Sequence, residues 1–430
     1  MKFKWKLKHI GDLCKVSSSK RVYLKDYVKS GVPFYRSREI IKLHNNEEIL
    51  DTLYISNEKY NEIKEKSGVP VKGDILLTSV GTIGIPYLIQ DNSPFYFKDG
   101  NLTWLHSFES EIDSRFIYYW INSSVGKHEI DKITIGSTQR ALTMVSLRKL
   151  TIFLPPLSIQ KKICDFLENL EQRILLNNQI ISNLEELAQT LFKRWFVDFE
   201  FPNENGEPYK SSGGKMVESE LGMIPEGWYA GYAKDIFEFA PRTSLKKGSV
   251  TKFVEMKNLV GSFAIPYWRY REFNGSGSKF IKGDTLLARI TPCLENGKIG
   301  FVDFLKDSEV AWGSTEFITI RTKLNEFKHI SFFFAKQEGF YNYAVKNMTG
   351  SSGRQRVSAK VLDNYLMPVP PTDMLIKYGE VTQSMANKIN MLNKESYHLT
   401  ELRDTLLPKL LSGEVEIPDD REVNNDVPVS

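Results

Sequence analysis

Cysteine and histidine are scarce in this chain: its 430 residues include three cysteines, Cys14, Cys164 and Cys293, and six histidines. The odd, scattered cysteines argue against a disulfide framework, and no Cys-x-x-Cys or His-x-x-x-His pair offers a zinc site. The thiols are expected to pack as small apolar groups. Long apolar runs are also missing, and none approaches the roughly 20 residues that cross a bilayer. The opening MKFKWKLKHIGD alternates Lys with apolar residues and has no continuous apolar core. It reads as a first strand and not as a signal peptide, which places the chain in the cytoplasm and away from membranes. Signatures of catalysis are absent too. The two Pro-Pro pairs, in Leu-Pro-Pro-Leu and Val-Pro-Pro-Thr, lack the polar residue before and the aromatic after that an amino-methyltransferase loop requires. Asn296-Gly297-Lys298-Ile299 has no hydroxyl after the lysine and is no phosphate-binding P-loop. Asp419 and Asp420 fall in an acidic tail, a poor place for a preorganised nuclease site.

What the chain does have is a repeat. Its length suits two or three domains, and its segments recur in order. WKLKHIGDL near the start is answered by GWYAGYAKDI from Gly227, and GVPFYRSREI from Gly31 by TKFVEMKNLV from Thr251. GDILLTSVGTIGI from Gly73 is answered by GDTLLARITPCLENGKIGF from Gly283, and GSTQRALTMVSLRKLTIFLPP from Gly136 by GSSGRQRVSAKVLDNYLMPVPP from Gly350. Each series ends in a short strand, a Pro-Pro stop and a long amphipathic helix. Proline cannot donate to a strand ladder and fixes the chain direction, so each pair ends a strand and launches a rigid helix.

The helices carry apolar seams with steps of three and four. The first runs through Ile163, Leu167, Leu170, Ile174, Asn177, Ile181, Leu184, Ala188, Leu191 and Trp195, with Asn177 in a polar slot of the kind that sets register. The second runs through Met385, Ile389, Leu392, Leu399, Leu402, Leu406 and Leu410. Pro408 is expected to kink or end it, and Gly413 to cap it. Two such helices in one chain most simply pack on each other. Between the halves, Phe201 to Leu221 is rich in Pro, Gly, Ser and Asn and reads as a linker. The acidic stretch from Glu414 to Ser430 reads as a flexible tail.

Charge is unevenly spread. Met1 to Asn46 holds twelve Lys or Arg against three acids, and Arg242 to Gly300 eleven against four. Two basic regions at matching places suggest a repeated surface for a polyanion, a solvated basic face being the plainer alternative. Arg and Lys serve phosphates and guanine, Asn and Gln read adenine, and Ser and Thr serve either. On that chemistry the first half offers Lys20, Arg21, Arg36, Arg38, Ser79, Thr82, Gln139 and Arg140. The second offers Arg242, Lys246, Lys247, Lys257, Asn258, Arg289, Asn296, Lys298, Arg354, Gln355 and Arg356.

IFLPPLSIQKKI, LFKRWFVDFEFP, SELGMIPEGWY, TPCLENGKIGF and LLPKLLSGEVEIP, in that order, resemble the specificity subunit of type I restriction–modification systems. The resemblance covers nearly the whole chain. It implies a mixed α/β (α+β) fold with a pseudo-twofold internal repeat, in which two long antiparallel coiled-coil helices separate two similar target recognition domains. By resemblance the first domain spans residues 1–154, the first helix 155–200, the linker 201–221, the second domain 222–369, the second helix 370–413 and the tail 414–430. Each domain would read one half of a bipartite site in double-stranded DNA. The helices would set the spacing and dock two modification (methyltransferase) subunits, which restriction (translocase and nuclease) subunits then join. S-adenosylmethionine, ATP and Mg2+ would belong to those partners, and this chain would hold no cofactor or metal and perform no catalysis. The first half lacks a counterpart of TPCLENGKIG, so the two domains would read different sequences. Two other readings stay open: a diverged DNA methyltransferase, and a coiled-coil scaffold that binds DNA without sequence preference.

Overall fold

In the computed structural model, residues 5–136, 140–324, 326–351 and 353–417 are described. The chain divides into two compact units, Met1–Gln172 with Leu399–Ser430, and Arg173–His398. Each holds a mixed α/β head and part of two long helices, α1 (Leu157–Phe196) and α2 (Thr372–Ser412).

The two heads repeat one topology. In each, the first strand pairs antiparallel with the last: Lys6–His9 with Thr151–Leu154, and Tyr229–Tyr232 with Leu366–Val369. That last strand runs into the Pro-Pro pair, and the carbonyls of Pro156 and Pro371 accept the first hydrogen bonds of α1 and α2. Inside each head is a four-stranded sheet of the same order. In the first it is Lys15–Ser17, Leu102–His106, Ile75–Thr78, Pro86–Leu88; in the second it is Phe237–Phe239, Phe317–Thr322, Thr285–Ala288, Ile299–Phe301. The central strands Ile75–Thr78 and Thr285–Ala288 are buried throughout and read as continuous apolar runs. Both begin after a Lys-Gly-Asp turn. Gly73 and Gly283 sit at φ of 90° and 91°, where a side chain would be strained, and Asp74 and Asp284 accept the backbone N–H of Val71 and Ile281.

A second four-stranded sheet in each head contains one parallel pair, Val32–Tyr35 with Tyr96–Phe97 and Val250–Val254 with Val310–Gly313. Its edges differ. The second head adds Ser278–Ile281 just before its Lys-Gly-Asp turn. The first head has Val69-Pro70-Val71 there, and Pro70 has no N–H to donate to a ladder.

In the first unit the start of α1 packs against the end of α2, with Ile163, Leu167, Leu407, Leu410 and Leu411 in one buried cluster. In the second unit the end of α1 packs against the start of α2, with Ile181, Ala188, Trp195, Tyr378, Ile389 and Leu392 buried together. The helices therefore run antiparallel. Of the remaining seam positions, Leu170, Ile174, Leu184, Leu191, Met385, Leu399 and Leu406 are half-buried. Leu402 departs from the expected seam: it is 43% exposed. Arg403 stands in its place, four residues from Leu399 and three from Leu406, and pairs with Glu171. Asn177 is buried at 1% exposure and lies against Glu395, whose carboxyl is held below its ordinary value first by Arg173 and also by the Asn177 amide. Pro408 neither ends nor divides α2, which continues to Ser412; Gly413 follows at φ 72°. Without an N–H, Pro408 leaves the Asp404 carbonyl without its helical donor, yet the helix runs on past it.

Phe201 to Leu221, expected as a linker, is more structured than its composition suggests. Phe201 stacks on Trp228 and Tyr209, and Met216–Ser219 forms a hairpin with Gly222–Pro225 across the expected boundary. The aromatic rings bury a segment whose Gly and Pro content alone reads as loop.

Candidate nucleic-acid interface

Each head is fastened to α1 by buried polar side chains. In the first unit Gln160 is fully buried: its Oε1 accepts the Asp113 N–H, and its Nε2 donates to the carbonyls of Glu111 and Pro155. Arg115 donates at 2.7 Å to each of Asp113, Asp165 and Glu168. In the second unit Glu185 accepts the Phe263 N–H at 2.7 Å, with Lys336 at 3.6 Å. Burial pushes the Glu185 carboxyl above its ordinary value, against the pull of these two donors.

The Lys- and Arg-bearing surfaces separate into groups already paired and groups left free. In the first head Arg36 and Arg38 both grip Glu39, which is 1% exposed, so they hold the Ser37–His44 helix in place. Arg140 pairs with Asp131. Ser79 is not a surface group: it is buried, and its hydroxyl bonds Thr103 Oγ1 at 2.6 Å and the Leu77 carbonyl. Thr82 is exposed at a turn, and Lys20 and Arg21 are exposed, Arg21 lying 5.5 Å from the Tyr23 ring. Gln139 lies outside the described residues.

In the second head Asn258 is buried, and its Oδ1 accepts the Glu255 N–H at 2.7 Å, so it closes a local turn and reads nothing. Lys257 pairs with Glu255, and Lys298 donates to the Met256 carbonyl. Asn296 is exposed in the compact Thr291–Gly297 turn that the first head lacks. Beside that turn, Val357 N–H donates to the Arg289 carbonyl, just as Leu142 N–H donates to Ser79 in the first head. Ala141-Leu142 and Arg356-Val357, which follow the two Gly-Ser stretches, thus occupy matched places. Arg356 is locked to Glu316 by contacts of 2.7–3.1 Å, and it holds that carboxyl below its ordinary range. Gln355 N–H donates to Thr291 Oγ1, Arg289 Nε is buried without a partner, and Arg354 is exposed without an ion pair among the described residues.

The most exposed basic surface of the second head includes a strand absent from the sequence-derived candidates. Arg269–Glu272, an edge strand, is exposed at every residue, with Tyr270 at 64%. Arg271 lies over the Phe253 ring at 4.8 Å, and Arg269 pairs with Glu255. Tyr267, 51% exposed, lies just before the strand, and the exposed Arg242, Lys246 and Lys247 lie in a loop tied to its far end through Gly248 N–H and the Phe273 carbonyl. Alternating Arg and aromatic residues in Trp268-Arg269-Tyr270-Arg271 were the available signal. Such a strand can contact phosphates with its cations and stack bases on its rings.

Among the described residues no group of His, Cys, Asp or Glu could hold a metal ion, and no helix is long and apolar enough to cross a membrane.

Residues 3–186 match the family described as the type I restriction modification DNA specificity domain. A putative type I restriction enzyme specificity subunit of Haemophilus influenzae is 32% identical over 44% of this chain, a match that spans 46% of that protein. The MjaIX specificity subunit of Methanocaldococcus jannaschii is 25% identical over 96% of this chain and 94% of its own length. The crystal structure of a type I restriction–modification S subunit from M. genitalium superimposes with a TM-score of 0.54 at 16% identity, covering 97% of each chain, and so shares the fold. The fold has two matched α/β heads and two long helices, and the first head lies within the residues that match the specificity-domain family. Over nearly its whole length the chain is similar to type I restriction enzyme specificity subunits, and its fold is shared with one of them.

Proposed function

We propose that this chain chooses the DNA sequence on which a type I restriction–modification complex acts, each head reading one half of a bipartite site. The observation that carries the reading is a repeated topology with unrepeated surface chemistry. The heads match strand for strand in their central sheet, yet the second carries a Thr291–Gly297 turn that the first lacks, and its Arg269–Glu272 strand is an exposed basic edge where the matching Leu53–Ile55 of the first is an apolar inner strand. A shared scaffold with different exposed side chains suits two different half-sites.

In this reading α1 and α2 set the distance between half-sites and dock two modification subunits, and restriction subunits join that core. A helix of 40 residues such as α1 is roughly 60 Å long, a scale comparable with more than one turn of duplex DNA. S-adenosylmethionine, ATP and Mg2+ belong to those partners, this chain contributes affinity and position without catalysis, and the complex works in the cytoplasm. The test is a genome-wide map of methyladenine in cells carrying the modification subunit, with and without this gene. Loss of methylation at one split motif is expected when the gene is removed. An unchanged map, with the modification subunit still co-purifying with this chain, counts against the reading.

A further inference from the structure

The first head contains an open polar groove of about 610 Å³ lined by Lys15, Lys20, Lys66 and Arg148. Among the described residues no Asp or Glu lines it. Lys66 is paired with Glu62, and Arg148 donates to the Val16 carbonyl at 2.5 Å. Lys15 and Lys20 have no ion pair among the described residues. The groove also offers hydroxyls: Ser17 Oγ lies 3.0 Å from His106 Nε2, and Ser18 and Ser67 share the wall. Next to it in the chain, the Ser19 hydroxyl is buried without a hydrogen-bond partner among the described residues. His106 is stacked on Trp104, and burial and then Lys15 hold its imidazole below the ordinary value, so it adds a neutral donor or acceptor near pH 7.

The second head shows that this charge is not demanded by the scaffold. Lys15 pairs across the sheet with His106, and the matched pair is Glu238 with Arg321. Arg148 is the fifth residue after the helix cap Thr143, and Asp363 is the fifth after the matched cap Ser358. Two cations of the first groove are therefore acids at the same places in the second head. The fold tolerates either sign at these two positions, and in the second head Lys234 and Lys323 lie near Asp363 and oppose its charge.

We propose that this groove binds a phosphate group, held by Lys15 and Lys20 with serine hydroxyls beside them, and that the second head has no such site. Unpaired ammonium groups in an acid-free groove with hydroxyl donors suit a phosphate and repel cations. The proposal rests on the DNA-recognition reading for its source, a backbone phosphate of the duplex; a free phosphate compound has the same chemistry. Where the first head carries Lys15 and Arg148, the second carries Glu238 and Asp363 with cations beside them, so the two heads hold the duplex unequally.

The test uses the full chain with Lys15→Glu, the charge that the second head carries at this place, and Lys20→Ala. Duplex binding is measured by fluorescence anisotropy at several salt concentrations, and pyrophosphate binding by calorimetry. Losing one phosphate contact should weaken duplex binding several-fold on every sequence and lower the salt slope by about 0.9. Unchanged duplex binding, with pyrophosphate bound by the natural chain and lost in the variants, assigns the same site to a free phosphate compound. Variants equal to the natural chain in both measurements overturn the proposal. Arg271→Ala in the second head separates the two claims. If it weakens duplex binding while Lys15→Glu changes nothing, the groove is wrong and the DNA reading stands.

Discussion

Tyr378 gives the packing of the two helices in the second unit a measurable handle. It is fully buried, its hydroxyl donates to the Ala188 carbonyl at 2.9 Å, and its ring meets Phe192, Trp195 and Phe196 edge-on at 5.5, 5.8 and 5.2 Å. Tyr378→Phe removes only the hydroxyl. The Ala188 carbonyl still serves the helical ladder, so no buried group is orphaned and the loss should be about 1 kcal/mol. Tyr378→Ala removes the ring as well and leaves a cavity among three aromatic side chains, which should cost about 4 kcal/mol. For a unit of this size that corresponds to a fall in melting temperature of about 3 °C for the first and about 12 °C for the second. Intrinsic fluorescence during heating reads it directly, because Trp195 and Trp228 lie in the same cluster. A Tyr378→Ala variant that melts within about 3 °C of the natural chain would show that the two helices do not share this core, and the reasoning would fail.

Arg115→Ala should loosen the first head from α1, since Asp113, Asp165 and Glu168 would lose their common donor; a loss on the order of 2 kcal/mol is expected, read by urea denaturation and by faster proteolysis near residue 155. Arg354→Ala should weaken DNA binding and leave the melting temperature unchanged, whereas Arg356→Ala, which strands Glu316, should lower both; equal stability of the two variants would refute the Glu316 assignment. Burial raises the Asp303 carboxyl to about 6, with Lys394 opposing, so the folded state binds this proton more tightly than the unfolded chain. Its effect on stability is therefore absent below pH 4 and grows unfavourable as pH rises through 6. Asp303→Asn should stabilise the second unit by up to about 3 kcal/mol at pH 7 and by little at pH 4, and a pH-independent gain would sink the assignment. His329 moves the other way. Burial lowers it to about 4, so the stability it contributes is present above pH 6.5 and is lost as pH falls toward 4.

The architecture was legible because it is repeated. Lys-Gly-Asp turns, Pro-Pro stops and three-four apolar steps each fix backbone chemistry, and each occurs twice, so the repeated segments and both helices were legible from residues alone, while the strand order of the sheets was not. The site was less legible because side-chain type does not report on partners. Ser79 and Asn258 have the right chemistry to read a base, but they spend it on Thr103 and on the Glu255 backbone. Arg36, Arg38 and Arg356 are cations whose charge is already matched inside the head. Leu402 was placed on the seam by continuing its spacing, yet the chain puts Arg403 there, because a seam near a helix end can accept a long cation paired across to Glu171. The Arg269–Glu272 strand was less legible for the opposite reason: its counterpart in the first head, Leu53–Ile55, is an apolar inner strand, so the repeat gives no hint of an exposed basic edge.

The most direct measurement is a methyladenine map after head exchange, with residues 5–154 replaced by the corresponding head of a related specificity subunit and residues 155–430 kept. If each head reads its own half-site, one half of the methylated motif should change while the other half and the spacing between them stay the same. Loss or change of both halves together would contradict the account.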